Sequence, residues 1–377
     1  MKFRIERDLL TDAVAWSARS LPSRPAAPIL AGLLLDVSDD LLSISGFDYE
    51  VSTRADLEVL GSGTGRALVS GRLLADITKS LPAHPVDVAS DGPRVSISCG
   101  SARFSLPTMP DDDYPRLPDM PTTAGTVSSA AFARAVAQVA VAAGRDDTLP
   151  MLTGIRLEID GDKLTLAATD RYRLAIRELS WTPASTESAD VQVLVPARTL
   201  SDAAKSLTNE PELTIALSAS GPGEGIIGFA GTGRRTTTRL LDAQFPPYRS
   251  LLPAGFEVTA EVSVAALTEA VKRVSLVADR GNPLRMDFSG SVLTLTAGGD
   301  DEGRAEESLD VDYVGEDLAT AFNPSFLLEG LGAIDSPIAR LLFTTPTKPA
   351  VIRPAVATEA QTGPEYTYLI MPVRLPG

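Results

Sequence analysis

Short runs that alternate apolar and polar residues fill most of the chain, and stretches with helical spacing interrupt them. Lys2-Phe3-Arg4-Ile5 alternates from the start, and residues 33–37, 41–46 and 51–57 alternate or run apolar between turn signals. Residues 164–168 and 173–177 behave the same way. A period of two over such short runs predicts β-strands. Residues 71–81 carry the other period. At about 100° per residue, Arg72 and Lys79 point one way and Leu74, Ile77 and Leu81 point the other, which predicts an amphipathic helix.

The pattern occurs three times. Pro28-Ile29-Leu30-Ala31-Gly32-Leu33 returns 122 residues later as Pro150-Met151-Leu152-Thr153-Gly154-Ile155, and a weaker copy begins at Pro283-Leu284. An Ala-rich helical stretch precedes each copy, marked by Ala13-Val14, Ala135-Val136 and Ala270-Val271. Leu68-Val69-Ser70-Gly71-Arg72 likewise returns as Leu194-Val195-Pro196-Ala197-Arg198, and Phe322-Asn323-Pro324 opens the third version. Periods this long mean similar domains in tandem, not solenoid units. With Pro-rich closures near residues 114–118 and 245–253, the expected domains are 1–121, 122–252 and 253–377. Each reads as two helices packed on antiparallel sheets, an α+β architecture.

Charge narrows the function. The chain has 377 residues and a formal net charge of −15, so its whole surface does not coat nucleic acid, and any such contact needs a local basic face. The second domain's helix repeats the basic pair as Arg198 and Lys205, opposite Leu200, Ala203 and Leu207. Arg134, Lys272 and Arg273 lie on the preceding helices of the second and third domains. A recurring basic face follows phosphates without reading bases. The third domain's last helix carries Glu329 and no base.

Catalytic signatures are weak. One cysteine, Cys99, fits a reducing compartment, and one histidine, His84, reads as an exposed loop residue; together they are too few for a Cys/His zinc site. Gly223-Glu224-Gly225-Ile226-Ile227-Gly228 matches a dinucleotide fingerprint as a bare string, but no helix follows, so a hairpin is expected. Asp111-Asp112-Asp113 and Asp300-Asp301-Glu302 lack calcium-loop spacing. No enzyme, metal or cofactor is expected. No apolar run is long enough to span a bilayer, and the N-terminus lacks a signal-peptide core.

Residues 168–175, Ala-Thr-Asp-Arg-Tyr-Arg-Leu-Ala, and 369–375, Leu-Ile-Met-Pro-Val-Arg-Leu, carry a more specific signal, to which Arg24-Pro25-Ala26-Ala27-Pro28-Ile29-Leu30 and Phe322-Asn323-Pro324 add. With three tandem domains, the chain resembles the bacterial DNA polymerase III β subunit, the β sliding clamp, in an actinobacterial-like form and over its whole length. The resemblance implies a head-to-tail homodimer closed into a ring, helices lining the hole and duplex DNA passing through it. It implies a non-catalytic processivity factor, cytoplasmic and nucleoid-associated during replication. Arg24 matches a family loop residue at the DNA, and Arg145 lies in the corresponding loop of the second domain. The expected DNA-facing set is therefore Arg24, Arg72, Lys79, Arg134, Arg145, Arg198, Lys205, Lys272 and Arg273.

The resemblance also implies a pocket between the second and third domains. There the polymerase, the clamp loader, other polymerases and repair proteins insert short segments with apolar anchors. Carried over by position, its residues are Leu152, Thr169, Arg171, Tyr172, Arg173 and Leu174, then Pro246 and Leu251, Asn323 and Phe326. Met371, Pro372, Val373, Arg374 and Leu375 complete it. Many relatives carry a small residue and a histidine in place of Arg171-Tyr172, and the chain extends past the usual terminus by Pro376-Gly377. An alternative reading is a clamp paralogue that replaces the housekeeping clamp when an antibiotic occupies this pocket.

Overall fold

The computed structural model describes residues 1–374 apart from Ser62 and residues 186–190, 209, 219–224, 279–281, 300–302 and 356–365. Leu375, the Asp300-Asp301-Glu302 run and Gly223-Glu224 thus lie outside the described residues. Six helices of nine or more residues punctuate the described strands: α1 (Arg7–Ser17), α2 (Gly71–Ser80), α3 (Ser129–Ala140), α4 (Ala197–Ser206), α5 (Val264–Val274) and α6 (Pro324–Gly332). They fall two to each expected domain. Among the described residues no helix is long and apolar enough to cross a membrane.

The strands assemble differently from the sequence repeat. The chain folds into two compact units, one of residues 1–130, 183–185 and 202–240, the other of residues 131–182, 186–201 and 241–377. Each holds about one and a half copies of the repeat. In the first unit one antiparallel sheet runs on through the repeat, because Arg234–Arg239 pairs with Val51–Glu58, Arg234 opposite Ala55 and Thr238 opposite Val51. In the second unit the corresponding junction pairs Arg173–Ser180 with Tyr366–Ile370, Arg173 opposite Ile370. That strand belongs to a nine-stranded sheet, and a four-stranded sheet ends at the edge strand Gly303–Asp310.

Burial follows the alternation. In Val86–Asp91 and Arg94–Cys99 the inward residues Val86, Val88, Val95, Ile97 and Cys99 are at most 2% exposed. In the first unit α1 and α2 pack together, and Leu10, Val14, Leu74 and Ile77 face the interior. In the second unit α5 packs on α6, and Leu267, Val271, Leu327 and Leu331 are buried. His84 is exposed, as expected, and Ile226–Gly231 is a strand.

The repeat is most exact at one turn. Asp48 accepts hydrogen bonds from the backbone of Glu50 (3.0 Å) and Val51 (2.6 Å), and Asp170 accepts from Tyr172 (3.0 Å) and Arg173 (3.1 Å). The residue after each aspartate is left-handed, Tyr49 at φ 75° and Arg171 at φ 80°. An aspartate that caps the turn with its own carboxylate stabilises a conformation that β-branched residues avoid.

Candidate functional site

In the second unit the capped turn opens a cleft of about 370 Å³ lined by Leu152, Arg171, Tyr172, Arg173, Phe326 and Glu329, with Gly144, Arg145, Asp146 and Leu149 along its other side. Five expected pocket residues therefore meet. Arg145, expected at DNA, lines this same cleft.

Thr169 sits behind the turn, its hydroxyl donating to the Arg173 carbonyl (2.7 Å) and accepting from the Arg171 amide (3.2 Å). Arg173 is 5% exposed. Its Nε donates to Asp170 at 2.9 Å, its Nη1 donates to Glu329, and its guanidinium lies 4.3 Å over the Phe326 ring. Burial opposes the charge, but Tyr368, Glu329 and Asp170 outweigh it and hold the guanidinium well above its ordinary pKa. Tyr172, 62% exposed, stacks on Phe326 with centroids 6.2 Å apart. Phe326 is thus fixed from two sides, and Tyr368 donates to its carbonyl at 2.8 Å. Asn323 is an N-cap, its side-chain Oδ1 accepting from the amides of Ser325 (2.9 Å) and Phe326 (3.4 Å), which starts α6 where it presents Phe326.

The C-terminal segment is tied to the same turn. The Met371 amide donates to the Tyr172 carbonyl (2.8 Å), and the Val373 amide to the Ala321 carbonyl (2.8 Å). Met371 is 41% exposed and Val373 38%; Pro372 is half-buried and Arg374 exposed. Leu174 is buried beside Leu369, Phe245 and Tyr248 in one apolar cluster. Leu251 is 49% exposed, and Pro246 is half-buried in the segment that carries both.

Sequence reasoning missed what anchors that segment. Glu158 is 7% exposed and accepts from Arg249 (2.5 Å) and from the Tyr248 hydroxyl (3.1 Å), and Arg156 approaches it to 2.6 Å. Burial, then Glu158, push the Tyr248 hydroxyl well above its usual range. Phe245 and Tyr248 were legible as a Pro-rich closure. Leu369 was legible only as part of the motif at residues 369–375. Glu158 carries no local signal for this role, because Tyr248 and Arg249 lie some 90 positions away.

The basic residues divide into two groups. Arg24, Arg72, Lys79, Arg198 and Lys205 are exposed. Leu74, Ile77 and Leu81 are buried below α2, and Leu200, Ala203 and Leu207 below α4, so the expected stripe is real in both helices. Arg134, Lys272 and Arg273 instead meet carboxylates, Asp335 at 2.7 Å, Glu269 at 2.8 Å and Glu307 at 2.6 Å.

Comparison with known proteins follows the three-part repeat. The models of the DNA polymerase III beta subunit match residues 1–118 with the N-terminal domain, 126–247 with the central domain and 249–374 with the C-terminal domain. The chain is 55% identical to the beta sliding clamp of Streptomyces coelicolor over the full length of both. It is 46% identical to GriR, a beta sliding clamp homolog of Streptomyces muensis, over 99% of each. The crystal structure of a sliding clamp from Pseudomonas aeruginosa bound to griselimycin superposes with a TM-score of 0.91 at 28% identity, covering 100% of both chains.

Proposed function

The chain belongs to the DNA polymerase III beta subunit family, the β sliding clamps, and on that premise we propose that two copies close head to tail around duplex DNA and act there without catalysis. The observation that carries this is the match of all three family domains in order along one chain, together with a built cleft at the expected place. Retention is then topological. The exposed bases of α2 and α4 need only favour sliding over phosphates, and tight binding would oppose it. The rest of an acidic surface disfavours stray contacts with DNA.

Closure needs two edges. Among the described residues, Gly303–Asp310 has a partner strand on one side only. In Ala102–Met109, Ala102 to Pro107 pair with Arg94–Cys99, and only Thr108 and Met109 pair on the other side. Joining these edges between copies removes both. Leu276, 84% exposed, and Phe104, 36% exposed, supply apolar contact.

The cleft beside Tyr172 and Phe326 is the dock for partner proteins, among them the replicative polymerase, the clamp loader and repair proteins. Leu149, Leu152 and Phe326 offer its apolar floor, Leu174 supports the turn from the core, and Arg173 is a positioning residue in its wall. By their positions in the family motif, Pro246, Leu251 and Met371 to Arg374 belong to the same dock. The chain works where the chromosome is replicated.

The test is retention on nicked circular DNA at raised salt, with clamp loader and ATP supplied, before and after the circle is cut. A ring stays on the circle and leaves the linear product. Loss from the intact circle on raising salt would mean electrostatic binding and would overturn the closed ring.

A further inference from the structure

Some carboxylates in the first unit have a cation beside them: Asp87 meets Arg4 at 2.8 Å, Asp56 meets Arg54 at 2.7 Å and Asp36 meets Arg66 at 3.8 Å. One cleft gathers four that have none. About 910 Å³ in volume, it is lined by Ile5, Leu9, Leu41 and Leu60 together with Glu6, Asp39, Asp40 and Glu58; its one cation, Arg4, is ion-paired to Asp87 outside the lining. All four carboxylates are exposed, and among the described residues none is ion-paired. The leucines are exposed too, Leu9 to 52%, Leu41 to 42% and Leu60 to 78%. Three large apolar side chains converging in one concavity are unlike the isolated exposed leucines of an ordinary surface.

The walls are held by backbone. Arg4 pairs with Leu60, the Val59 amide donates to the Asp40 carbonyl at 2.8 Å, and a Cβ on Gly61 would stand 2.8 Å from the Asp39 carbonyl. A pre-formed cleft spends little binding free energy on ordering itself.

We propose that this cleft docks a basic amphipathic segment of a protein partner, with leucine-like anchors on the floor and Lys or Arg side chains against Glu6, Asp39, Asp40 and Glu58. Charge selects the occupant. DNA and an anionic membrane are repelled by the rim, and so is a second copy of the same acidic face. A free metal ion leaves the leucines in water. Only a cationic chain with apolar anchors satisfies both, and basic surfaces are common in proteins that work on nucleic acid. The site is separate from the cleft at Tyr172 and Phe326.

The probe is a short fluorescent peptide with leucines at helical spacing and lysines between them, titrated into the full chain at low salt and followed by anisotropy. A scrambled peptide of the same composition is the control. Leu60→Asp weakens binding about tenfold, the loss of one buried leucine anchor. Asp40→Lys with Glu58→Lys weakens it about fivefold and flattens its salt dependence, since screened attraction is what those residues supply. Val314→Asp, an exposed apolar position in the other unit, leaves binding unchanged. No binding, equal binding of the scrambled peptide, or unchanged binding in both the leucine and the charge variants would overturn the proposal. So would a change in sedimentation of the peptide-free protein on Leu60→Asp, which would assign the cleft to a second copy.

Discussion

Arg171 and Arg173 stand two positions apart and are under opposite constraints. Arg171 is exposed at φ 80°, where only glycine is free of strain. Arg171→Gly raises the thermal midpoint, by about 0.5 kcal/mol of stability, and Arg171→Val lowers it by more than about 1 kcal/mol; calorimetry on both decides. Arg173 is buried between Asp170 and Glu329. Arg173→Met leaves two carboxylates facing an apolar side chain and costs about 3 kcal/mol, whereas adding Glu329→Leu recovers part of the loss. Chemical denaturation of the single and double variants measures this. The sequence pointed to both arginines through one motif. It held no sign that one is strained and the other enclosed, because Glu329 lies 156 positions away.

At the scale of elements, the helices were legible and the sheets only in part. Arg72 and Lys79 above Leu74 and Ile77 follow from helical geometry alone, since side chains three and four apart share a face whatever surrounds them. Strand pairing is non-local. That Arg234–Arg239 would join Val51–Glu58, and so continue one sheet through the repeat, depends on edges that no local window contains. The edges left over predict the association. Leu276→Glu buries a charge at the proposed junction and shifts the protein from dimer to monomer in sedimentation velocity, with its circular dichroism unchanged because the side chain is 84% exposed in the single chain. A dimer that persists in this variant would place the junction elsewhere.

For the whole molecule, the net charge of −15 and the basic helix faces together set the electrostatic behaviour. Pairing within the chain grades the basic residues. Arg134, Lys272 and Arg273 are already matched by Asp335, Glu269 and Glu307, so their field is largely cancelled at short range. Reversing Arg72, Lys79, Arg198 and Lys205 to glutamate lowers the amount of protein loaded on circular DNA several-fold. Reversing Arg134, Lys272 and Arg273 lowers it less. Equal losses from the two sets would show that the ion pairs open when DNA is present.

What the sequence determined by itself was whatever is local or repeated: helix faces, strand alternation, the three-part repeat and the motif at residues 168–175. Periodicity and capping act over a few residues, and a duplicated pattern needs no coordinates to be seen. Tertiary structure decided which edges pair, why the compact units number two, and what surrounds each charge. It enclosed Arg173, matched Arg273 to Glu307 and left Glu58 without an ion pair among the described residues. These outcomes depend on groups far apart in sequence, brought together only when hydrophobic burial and strand pairing close the chain.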